Sequence, residues 1–199
     1  MKTIVIATSN MNKVKEYAEM LSPLGYTIKC LKDFDPIEII EDGTTFEENA
    51  LIKARTLFEH THHTCIADDS GLSIEALNNE PGIYSARYLG ENTPYPEKHR
   101  VILERLKDAD NRRAFFTCVI AYVSEEEEKL FKGELHGEIA KAPKGEHGFG
   151  YDPIFYVPSL GKNTAELTAD EKNAISHRGK ATRQLLEFLK EKDNAEAQL

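Results

Sequence analysis

The chain opens with residues 2–30, KTIVIATSNMNKVKEYAEMLSPLGYTIKC, and this segment already indicates the fold class. The apolar run over residues 2–7 predicts a buried strand, apolar side chains at helical spacing from Val14 to Leu21 predict a helix, and residues 26–31 predict a second strand. These three elements form a β-α-β unit whose first turn, TSNMNK (8–13), follows the carboxyl end of a strand. Ligands bind at this end of the strands in α/β sheets, so the turn is a candidate binding site.

Strands and helices continue to alternate along the rest of the chain. Two capping boxes, in which a Thr and a Glu three residues later satisfy free N–H groups, predict helix starts at Thr45 and Thr168. The other predicted helices lie near residues 96–106 and after Ser176, and the further predicted strands cover residues 65–67, 72–77, 115–123, 130–139 and 154–157. This pattern predicts one α/β domain over residues 1–199 with an antiparallel or mixed sheet, and a tail that frays after Lys192.

Composition restricts the classes of function. The 34 acidic residues outnumber the 25 Lys and Arg residues, and the net charge of −9 repels a nucleic-acid backbone, so we expect no nucleic-acid partner. No apolar run approaches the roughly 20 residues that span a bilayer, so we expect no membrane association and a cytoplasmic location. Cys30, Cys65 and Cys118 are far apart in apolar stretches, which predicts core packing and neither disulfides nor a zinc site.

Two polar segments have the groups that a phosphorylated ligand and its metal ion need. The turn after the first strand has hydroxyl groups, the cation Lys13 and the free N–H groups of a helix N-terminus, which suit an anion. An ordinary polar helix cap has the same composition. Asp68 and Asp69 are predicted to lie on a turn. Together with Glu41 they offer hard oxygen ligands of the kind that Mg²⁺ takes. Because Asp-Asp-Ser-Gly is more often a solvated turn, both interpretations stay open at this point.

Two later segments have groups that could recognise a flat base. In the segment GFGYD the glycines leave an aromatic face open, so a base could stack on Phe149 while Asp152 reaches its edge. Packing of these aromatic rings in the core is the alternative. Lys172, His177 and Arg178 cluster donors near a helix start, where an arginine opposes the helix dipole and favours an anionic or carbonyl partner. A charged surface helix is the alternative here.

Together these residues resemble the inosine triphosphate pyrophosphatase family, whose members hydrolyse non-standard purine nucleoside triphosphates to the monophosphate and pyrophosphate. The matching stretches, which follow one another in one order, are TSNMNK (8–13), GTTFEENALIKA (43–54), IADDSGL (66–72), PGIYSARY (81–88), GFGYDPIF (148–155) and AELTADEKNAISHR (165–178). The resemblance implies an elongated two-lobed α/β fold around a long twisted mixed β-sheet, a substrate cleft between the lobes, a requirement for Mg²⁺ and a homodimer.

The resemblance assigns the phosphate and metal contacts. The triphosphate-binding residues that it implies are Thr8, Ser9, Asn10, Met11, Asn12 and Lys13, with Lys53 and Lys172 adding positive charge. It implies that Glu41 and Asp69 hold Mg²⁺, that Asp69 also serves as the general base, and that Ser70 touches the substrate beside the reacting phosphate. Asp42 stays the alternative to Glu41, because relatives vary at this point. At its ordinary pKa of about 3.9, Asp69 would be suited to metal ligation and to orienting water more than to strong proton abstraction.

The resemblance also assigns the base pocket. Its implied residues are Phe149, Gly150, Tyr151 and Asp152, with His177 and Arg178 reading the oxo edge of the purine. Hypoxanthine and xanthine present an acceptor oxygen at C6, whereas adenine presents an amino donor there. Donors at this edge would therefore accept ITP, dITP and XTP and reject ATP.

Two other functions remain open from the residues alone. A phosphatase or kinase could use the same phosphate turn, and it would release or transfer phosphate where a pyrophosphatase releases pyrophosphate. A regulator would bind the nucleotide without turnover, although the presence of Asp69, Glu41 and the lysines favours an enzyme. The sequence therefore predicts a cytoplasmic, Mg²⁺-dependent hydrolase that removes deaminated purine nucleotides from the nucleotide pool.

Overall fold

A computed structural model describes residues 2–198, with the side chain of Asn12 outside the described part. The described strands are β1 (Lys2–Ile6), β2 (Tyr26–Cys30), β3 (Thr64–Ile74), β4 (Glu80–Pro81), β5 (Arg113–Val123), β6 (Glu128–Ile139), β7 (Phe155–Val157) and β8 (Lys162–Asn163). The described α-helices are α1 (Met11–Leu21), α2 (Phe46–Thr61), α3 (Tyr95–Arg105), α4 (Ala169–Ile175) and α5 (His177–Glu196). Within this part of the chain no helix is both long and apolar enough to cross a membrane.

The strands form one mixed sheet. Its order is β2-β1-β3-β5-β6-β7-β8, and β4 pairs with β3 beside this path. Strand β1 runs parallel to β2 and β3, with Ile4 opposite Ile28 on one side and Thr64 on the other. The pairs β3/β4, β6/β7 and β7/β8 are antiparallel. The predicted α/β class with a mixed sheet is therefore confirmed.

The described chain divides into two compact units, each built from separated segments. Unit 1 consists of residues 2–69, 119–132 and 181–198, and unit 2 consists of residues 70–118 and 133–180. Strand β3 changes unit between Asp69 and Ser70, so two adjacent candidate site residues belong to different units.

The core of unit 1 explains why its first strand has a continuous apolar run. Ile4, Val5 and Ile6 are at most 1% exposed, as is usual for a parallel strand that is buried whichever way its side chains point. Helix α2 contributes Ala50 and Ala54, which pack in one cluster with residues of β3 and β5. These small side chains allow the helix to approach the strands closely.

The core of unit 2 contains large apolar side chains from strands β3, β5 and β7 and from helix α3. Leu72 and Ile74 of β3 and Ile102 of α3 are completely buried in one cluster. In the same cluster the rings of Phe116 and Phe155 lie 4.4 Å apart between centroids. Strand β3 and helix α3 are therefore held by the same packing that surrounds β7.

The predicted helix starts are confirmed. Thr45 Oγ1 accepts a hydrogen bond from Glu48 N, and Thr168 forms the complete predicted capping box with Glu171. The first box differs in one detail, because the Glu48 carboxylate accepts from Thr44 N, at 2.6 Å. Helix α5 begins at the residue after Ser176, as predicted.

The predicted turn at residues 68–71 is wrong. Strand β3 runs without interruption from Thr64 to Ile74 and includes the predicted strand 65–67 and the first half of the predicted strand 72–77. Residues 75–77 form a 3-10 helix instead. Strand β3 pairs with β1 through residues 64–66, with β4 through Ser73 and Ile74, and with β5 as its other neighbour in the sheet. Residues 68–71 lie inside this paired strand, and such tertiary pairing overrides the turn preference of Asp, Ser and Gly. Consecutive side chains of a strand point to opposite faces, so Asp68 and Asp69 point in different directions.

The C-terminal helix extends past the point where fraying is predicted. Helix α5 continues to Glu196, four residues beyond Lys192. Lys2 of β1 forms ion pairs with Asp193 and Glu196, and Tyr26 Oη donates a hydrogen bond of 3.0 Å to Asp193. These contacts tie the last turns of α5 to the first two strands.

The three cysteines are buried, which agrees with the core packing that the sequence predicts for them. Burial raises the pKa of the Cys65 thiol to about 11, so the thiol stays protonated at neutral pH. Cys65 packs with Val5 and Leu57, and its role in the fold is that of a small apolar side chain.

We expect Gly145→Ala to destabilise unit 2 more than Gly161→Ala does. Both glycines have positive φ, of 91° and 63°, so a Cβ at either position costs about 1–2 kcal/mol. A Cβ at Gly145 would also lie 2.2 Å from the backbone carbon of Ala165, whereas at Gly161 nothing lies within 4 Å. Such overpacking adds about 1–3 kcal/mol, which urea unfolding would measure. Equal losses of stability for the two variants would contradict the close approach.

Candidate active site

A lysine in unit 1 lies close to two carboxylates. Lys53 Nζ, on helix α2, lies 2.7 Å from Glu41 Oε1 and 3.5 Å from Asp69 Oδ1. Only 15% of the Lys53 side chain and 14% of the Asp69 side chain remain exposed. We call Glu41, Lys53 and Asp69 the Lys53 cluster. It combines residues of helix α2, of strand β3 and of the segment before the helix.

Burial and charge shift the pKa values within this cluster. Burial alone would lower the pKa of Lys53, but the neighbouring carboxylates outweigh it and raise the pKa above its ordinary value. Burial raises the pKa of Asp69, while Lys53 opposes that shift and Glu41 adds to it. The expectation of an ordinary pKa for Asp69 is therefore wrong, because the sequence alone does not reveal burial.

One oxygen of Asp69 fits a metal ion. Oδ2 is buried, and none of the residues that the structure describes donates a hydrogen bond to it. A carboxylate oxygen that loses water without gaining a donor is costly, and a hard divalent cation would restore its partner. In residues 2–198 no three His, Cys, Asp or Glu side chains converge on one point, but Mg²⁺ usually needs only one or two carboxylates with waters and phosphate oxygens. Glu41 and Asp69 are such a pair of carboxylate ligands.

The predicted phosphate turn, residues 8–13, is shorter in the structure, because α1 already begins at Met11 and only residues 8–10 of it lie between β1 and α1. Asn10 N donates to Thr8 Oγ1 at 3.1 Å, which bends the chain into the helix. The side chains of Ser9, Asn10 and Met11 are exposed beside the first N–H groups of α1. Those groups have no partner within a helix and carry part of its positive dipole. The predicted side-chain role of Asn12 lies outside the described residues.

The predicted phosphate ligand Lys13 has a buried partner. Its Nζ lies 2.9 Å from Asp68 Oδ2, and the side chain of Asp68 is only 2% exposed whereas that of Lys13 is 23% exposed. The two adjacent aspartates therefore hold different lysines, Asp68 pairing with Lys13 and Asp69 with Lys53. The alternation of side chains along β3 produces this division.

Unit 2 presents an aromatic ring close to two cations. Phe149 is 56% exposed, and its ring centre lies 4.8 Å from Lys172 Nζ and 5.5 Å from the Arg178 Cζ. Cations at these distances are attracted to the ring and keep their donors beside it. Arg178 Nη2 also donates to Ser70 Oγ at 3.4 Å. Ser70, Phe149, Lys172 and Arg178, which the sequence places far apart, thus lie together.

The carboxylate of Asp152 is occupied by groups of the protein itself. Its Oδ2 accepts from Phe149 N at 3.0 Å and from Lys172 Nζ at 2.5 Å, and its Oδ1 accepts from Thr164 Oγ1 at 2.9 Å. Asp152 is only 3% exposed. A Cβ at Gly148 would lie 2.2 Å from Oδ2, so the glycine is needed for this close approach. The geometry favours Asp152 as the support of the loop over Asp152 as a reader of the base edge.

Of the remaining predicted base-pocket residues, Tyr151 is buried and Gly150 and His177 are partly buried. Tyr151 is 4% exposed, and its hydroxyl donates to Ser85 O at 2.6 Å. The His177 ring stacks on Phe116 with the centroids 4.8 Å apart. Gly150 has φ +63°, which a glycine adopts without strain. These contacts shape the loop. The contact of each residue with a substrate stays a prediction.

Some residues that contact the GFGYD loop or its neighbours were not predicted from the sequence. Thr164 and Ser85 contact the GFGYD loop from 12 and 66 positions away along the chain. Phe116 lies inside strand β5, whose apolar sequence is typical of a core strand. Ser85 lies in the PGIYSARY stretch, but the contacts of these residues have no local sequence signal, because each contact exists only after folding. Asp68 was named from the sequence as a candidate oxygen ligand, but its pairing with Lys13 was not predicted.

The chain is similar to known proteins over nearly its whole length. The model of the Ham1 family matches residues 4–188. A Bacillus subtilis protein named dITP/XTP pyrophosphatase is 47% identical over 193 residues, which cover 95% of this chain and 98% of the relative. A Shigella flexneri protein of the same name is 47% identical over 195 residues, which cover 96% of this chain and 99% of the relative.

Solved structures of similar sequence have the same fold. The Staphylococcus aureus Ham1 protein superposes with a TM-score of 0.91 at 44% identity, and a Ham1 protein from Coxiella burnetii superposes with a TM-score of 0.92 at 46% identity. Each comparison covers 96% of this chain and 100% of the other.

We expect Asp152→Asn to destabilise the protein, because it leaves the Lys172 ammonium without its carboxylate. Removing one partner of a buried pair costs about 3–5 kcal/mol, and the 18% exposure of Lys172 places the effect near the lower value. The matched control is Asp170→Asn, an exposed acid at the start of α4, which should change the stability by about 0.5 kcal/mol or less. Chemical unfolding of both variants measures the difference, and a loss at Asp152 no larger than at Asp170 would contradict the supporting role.

Proposed function

This chain belongs to the Ham1 family, and from that premise we propose that it hydrolyses dITP, XTP and ITP to the nucleoside monophosphate and pyrophosphate. The relatives named dITP/XTP pyrophosphatase support this proposal, since two of them match nearly the whole chain at 47% identity. The observation in the site that carries it is the Lys53 cluster, in which a buried lysine and two carboxylates accompany an unsatisfied carboxylate oxygen.

The groups of unit 1 suit the triphosphate. Lys13 and Lys53 are each held by a carboxylate, so their ammonium groups are positioned before a substrate arrives. Hydrolysis at the α-phosphorus needs an oriented water molecule and compensation of the charge that develops on the leaving pyrophosphate. In this proposal the lysines and the N–H groups at the start of α1 compensate that charge, and Asp69 accepts a hydrogen bond from the attacking water.

Mg²⁺ is part of the same proposal. When bound, a magnesium ion neutralises charge on phosphate oxygens. Glu41 and Asp69 would hold it, because they supply the carboxylate oxygens that this ion prefers. The remaining coordination would come from phosphate oxygens and water.

The groups of unit 2 suit the base. The exposed ring of Phe149 offers a stacking face, and Arg178 with Lys172 supplies donors beside it. Hypoxanthine and xanthine have an acceptor oxygen at C6, and adenine has a donor there. A site built on donors rejects the mispaired analogue by about 10⁴-fold, which an apolar pocket cannot do. Dimerisation, which the family resemblance implies, and the cytoplasmic location expected from the sequence also belong to the proposal.

A panel of nucleoside triphosphates with separate detection of pyrophosphate and phosphate tests the proposed function. Pyrophosphate released from dITP, XTP and ITP, with little from ATP, would support it. Release of phosphate would instead indicate a phosphatase, and tight binding of dITP without turnover would indicate a regulator.

We expect Asp69→Asn to reduce turnover of dITP by at least about 100-fold, the usual loss when a group that stabilises the transition state is removed. Asparagine has the same shape but lacks the charge that would hold a metal ion. Lys53 keeps Glu41 as a partner, so thermal unfolding should change little. Near-normal turnover in this variant would contradict the assigned role of Asp69.

We expect Glu41→Gln and Asp42→Asn to differ, which decides between the two candidate metal ligands. Glu41 contacts Lys53 at 2.7 Å, whereas Asp42 is exposed. Loss of a metal ligand should cost at least as much as loss of an outer-shell partner, about 10- to 100-fold in metal affinity or activity. Activity titrated with Mg²⁺ measures this. The assignment is wrong if the larger loss occurs at Asp42.

A further inference from the structure

Helix α3 contributes a buried histidine to the loop that carries Phe149. His99 is 6% exposed, and its Nε2 lies 2.8 Å from the carbonyl oxygen of Gly150. A carbonyl oxygen only accepts hydrogen bonds, so Nε2 carries the hydrogen and His99 is the donor. No motif in the sequence marks this contact, which joins residues 51 positions apart.

The surroundings of His99 hold its ring in one orientation. The ring centroid lies 6.2 Å from that of Tyr95 and 6.1 Å from that of Tyr151. The two tyrosine rings meet edge to face at 5.2 Å. Burial lowers the pKa of His99, which keeps the imidazole neutral at physiological pH. A neutral ring in a fixed aromatic cage directs a single N–H group at Gly150.

The loop is thus held at two successive residues. On one side, Phe149 N donates to the Asp152 carboxylate at 3.0 Å, and on the other, Gly150 O accepts from His99. A Cβ at Gly150 would lie 3.7 Å from the Tyr95 ring, so the backbone rests closely against α3. The peptide that joins Phe149 to Gly150 lies between these two hydrogen bonds, and its own carbonyl, Phe149 O, accepts a hydrogen bond from Asp152 N at 3.2 Å. This peptide therefore has little freedom to rotate, and the exposed Phe149 ring inherits that restriction.

Helix α3 is itself anchored beside the loop. Lys98 is 1% exposed, and its Nζ donates to Ala86 O at 2.7 Å and lies 4.7 Å from the Tyr95 ring centre. Burial lowers the pKa of Lys98. A buried ammonium directed at a backbone carbonyl fixes the helix against the 82–87 segment, whose Ser85 carbonyl accepts from Tyr151. The base loop, α3 and this segment form one packed support.

We propose that His99 is a positioning residue for base recognition, acting through its hydrogen bond to Gly150 to hold the Phe149 ring where a purine stacks. This inference rests on the proposed function, because it assigns the purine of the substrate to Phe149. His99 contacts no reacting atom in this proposal. Its loss should weaken the binding of substrate and transition state equally, which raises KM and leaves kcat nearly unchanged.

The test compares His99→Gln with His99→Met. Glutamine places an amide N–H close to the position of Nε2, whereas methionine has a similar length and no donor. For dITP we expect the Met variant to raise KM by about 5- to 10-fold, as expected for the loss of one neutral hydrogen bond, with kcat changed less than about twofold. The Gln variant should restore KM to within about twofold. Arg100→Ala, which removes an exposed cation paired with Glu97 on the same helix, is the control and should behave as wild type.

A second measurement reports loop order without turnover. The chain has no tryptophan, so Phe149→Trp introduces a single reporter in the loop. Without substrate, its fluorescence anisotropy should fall when His99 is Met and stay unchanged when His99 is Gln. Should the Met variant fail to fold, His99→Asn, whose shorter side chain does not reach Gly150, replaces it.

The outcomes separate the two claims. Unchanged anisotropy and KM in the Met variant would overturn the positioning role, as would equal losses in the Met and Gln variants, which would indicate ring packing alone. If the wild-type protein releases no pyrophosphate from dITP, XTP or ITP, the proposed function fails. The anisotropy result still decides whether His99 orders the loop.

Discussion

The extended backbone of strand β3 is the constraint on which the candidate site depends. Asp68, Asp69 and Ser70 lie inside a strand that pairs with β1 before them, with β4 after them and with β5 as its other neighbour in the sheet, although their sequence favours a turn. In an extended backbone, neighbouring side chains point to opposite faces. As a result Asp68 meets Lys13, Asp69 meets Lys53, and Ser70 meets Arg178. A turn at this place would present the same residues without that separation.

Pairing of buried charge explains how the lysines are positioned. Each ammonium group that leaves water needs a carboxylate or a carbonyl, because an isolated buried charge is very costly. Such pairs add little net stability, since desolvation offsets most of their attraction. Their effect is geometric, since Lys13, Lys53 and Lys172 are held in place before a ligand binds. Sites that stabilise charge work best when their groups are oriented in advance.

The same principle applies to the loop around Phe149, where hydrogen bonds replace ion pairs. Asp152 and His99 hold the backbone of the loop while the Phe149 ring remains exposed. The polar groups of the loop are thus used for support, and the cationic groups of Lys172 and Arg178 lie against the ring. Aromatic surface and cationic donors in one place suit a flat base with an oxygen on its edge.

The sequence by itself determined the class of fold, the helix starts and the residue types of the site. The apolar run before the TSNMNK turn indicated a buried strand, and the Thr168 box indicated a helix, because both signals are local. The six motifs indicated the family, because six matching stretches in the same order along the chain are very unlikely to occur by chance. Only the tertiary structure decided that the DDSG segment is a strand, that burial raises the pKa of Asp69, and that Asp152 faces the protein. It also revealed His99. These features arise from sheet pairing, desolvation and contacts between distant residues, which exist only when the chain is folded.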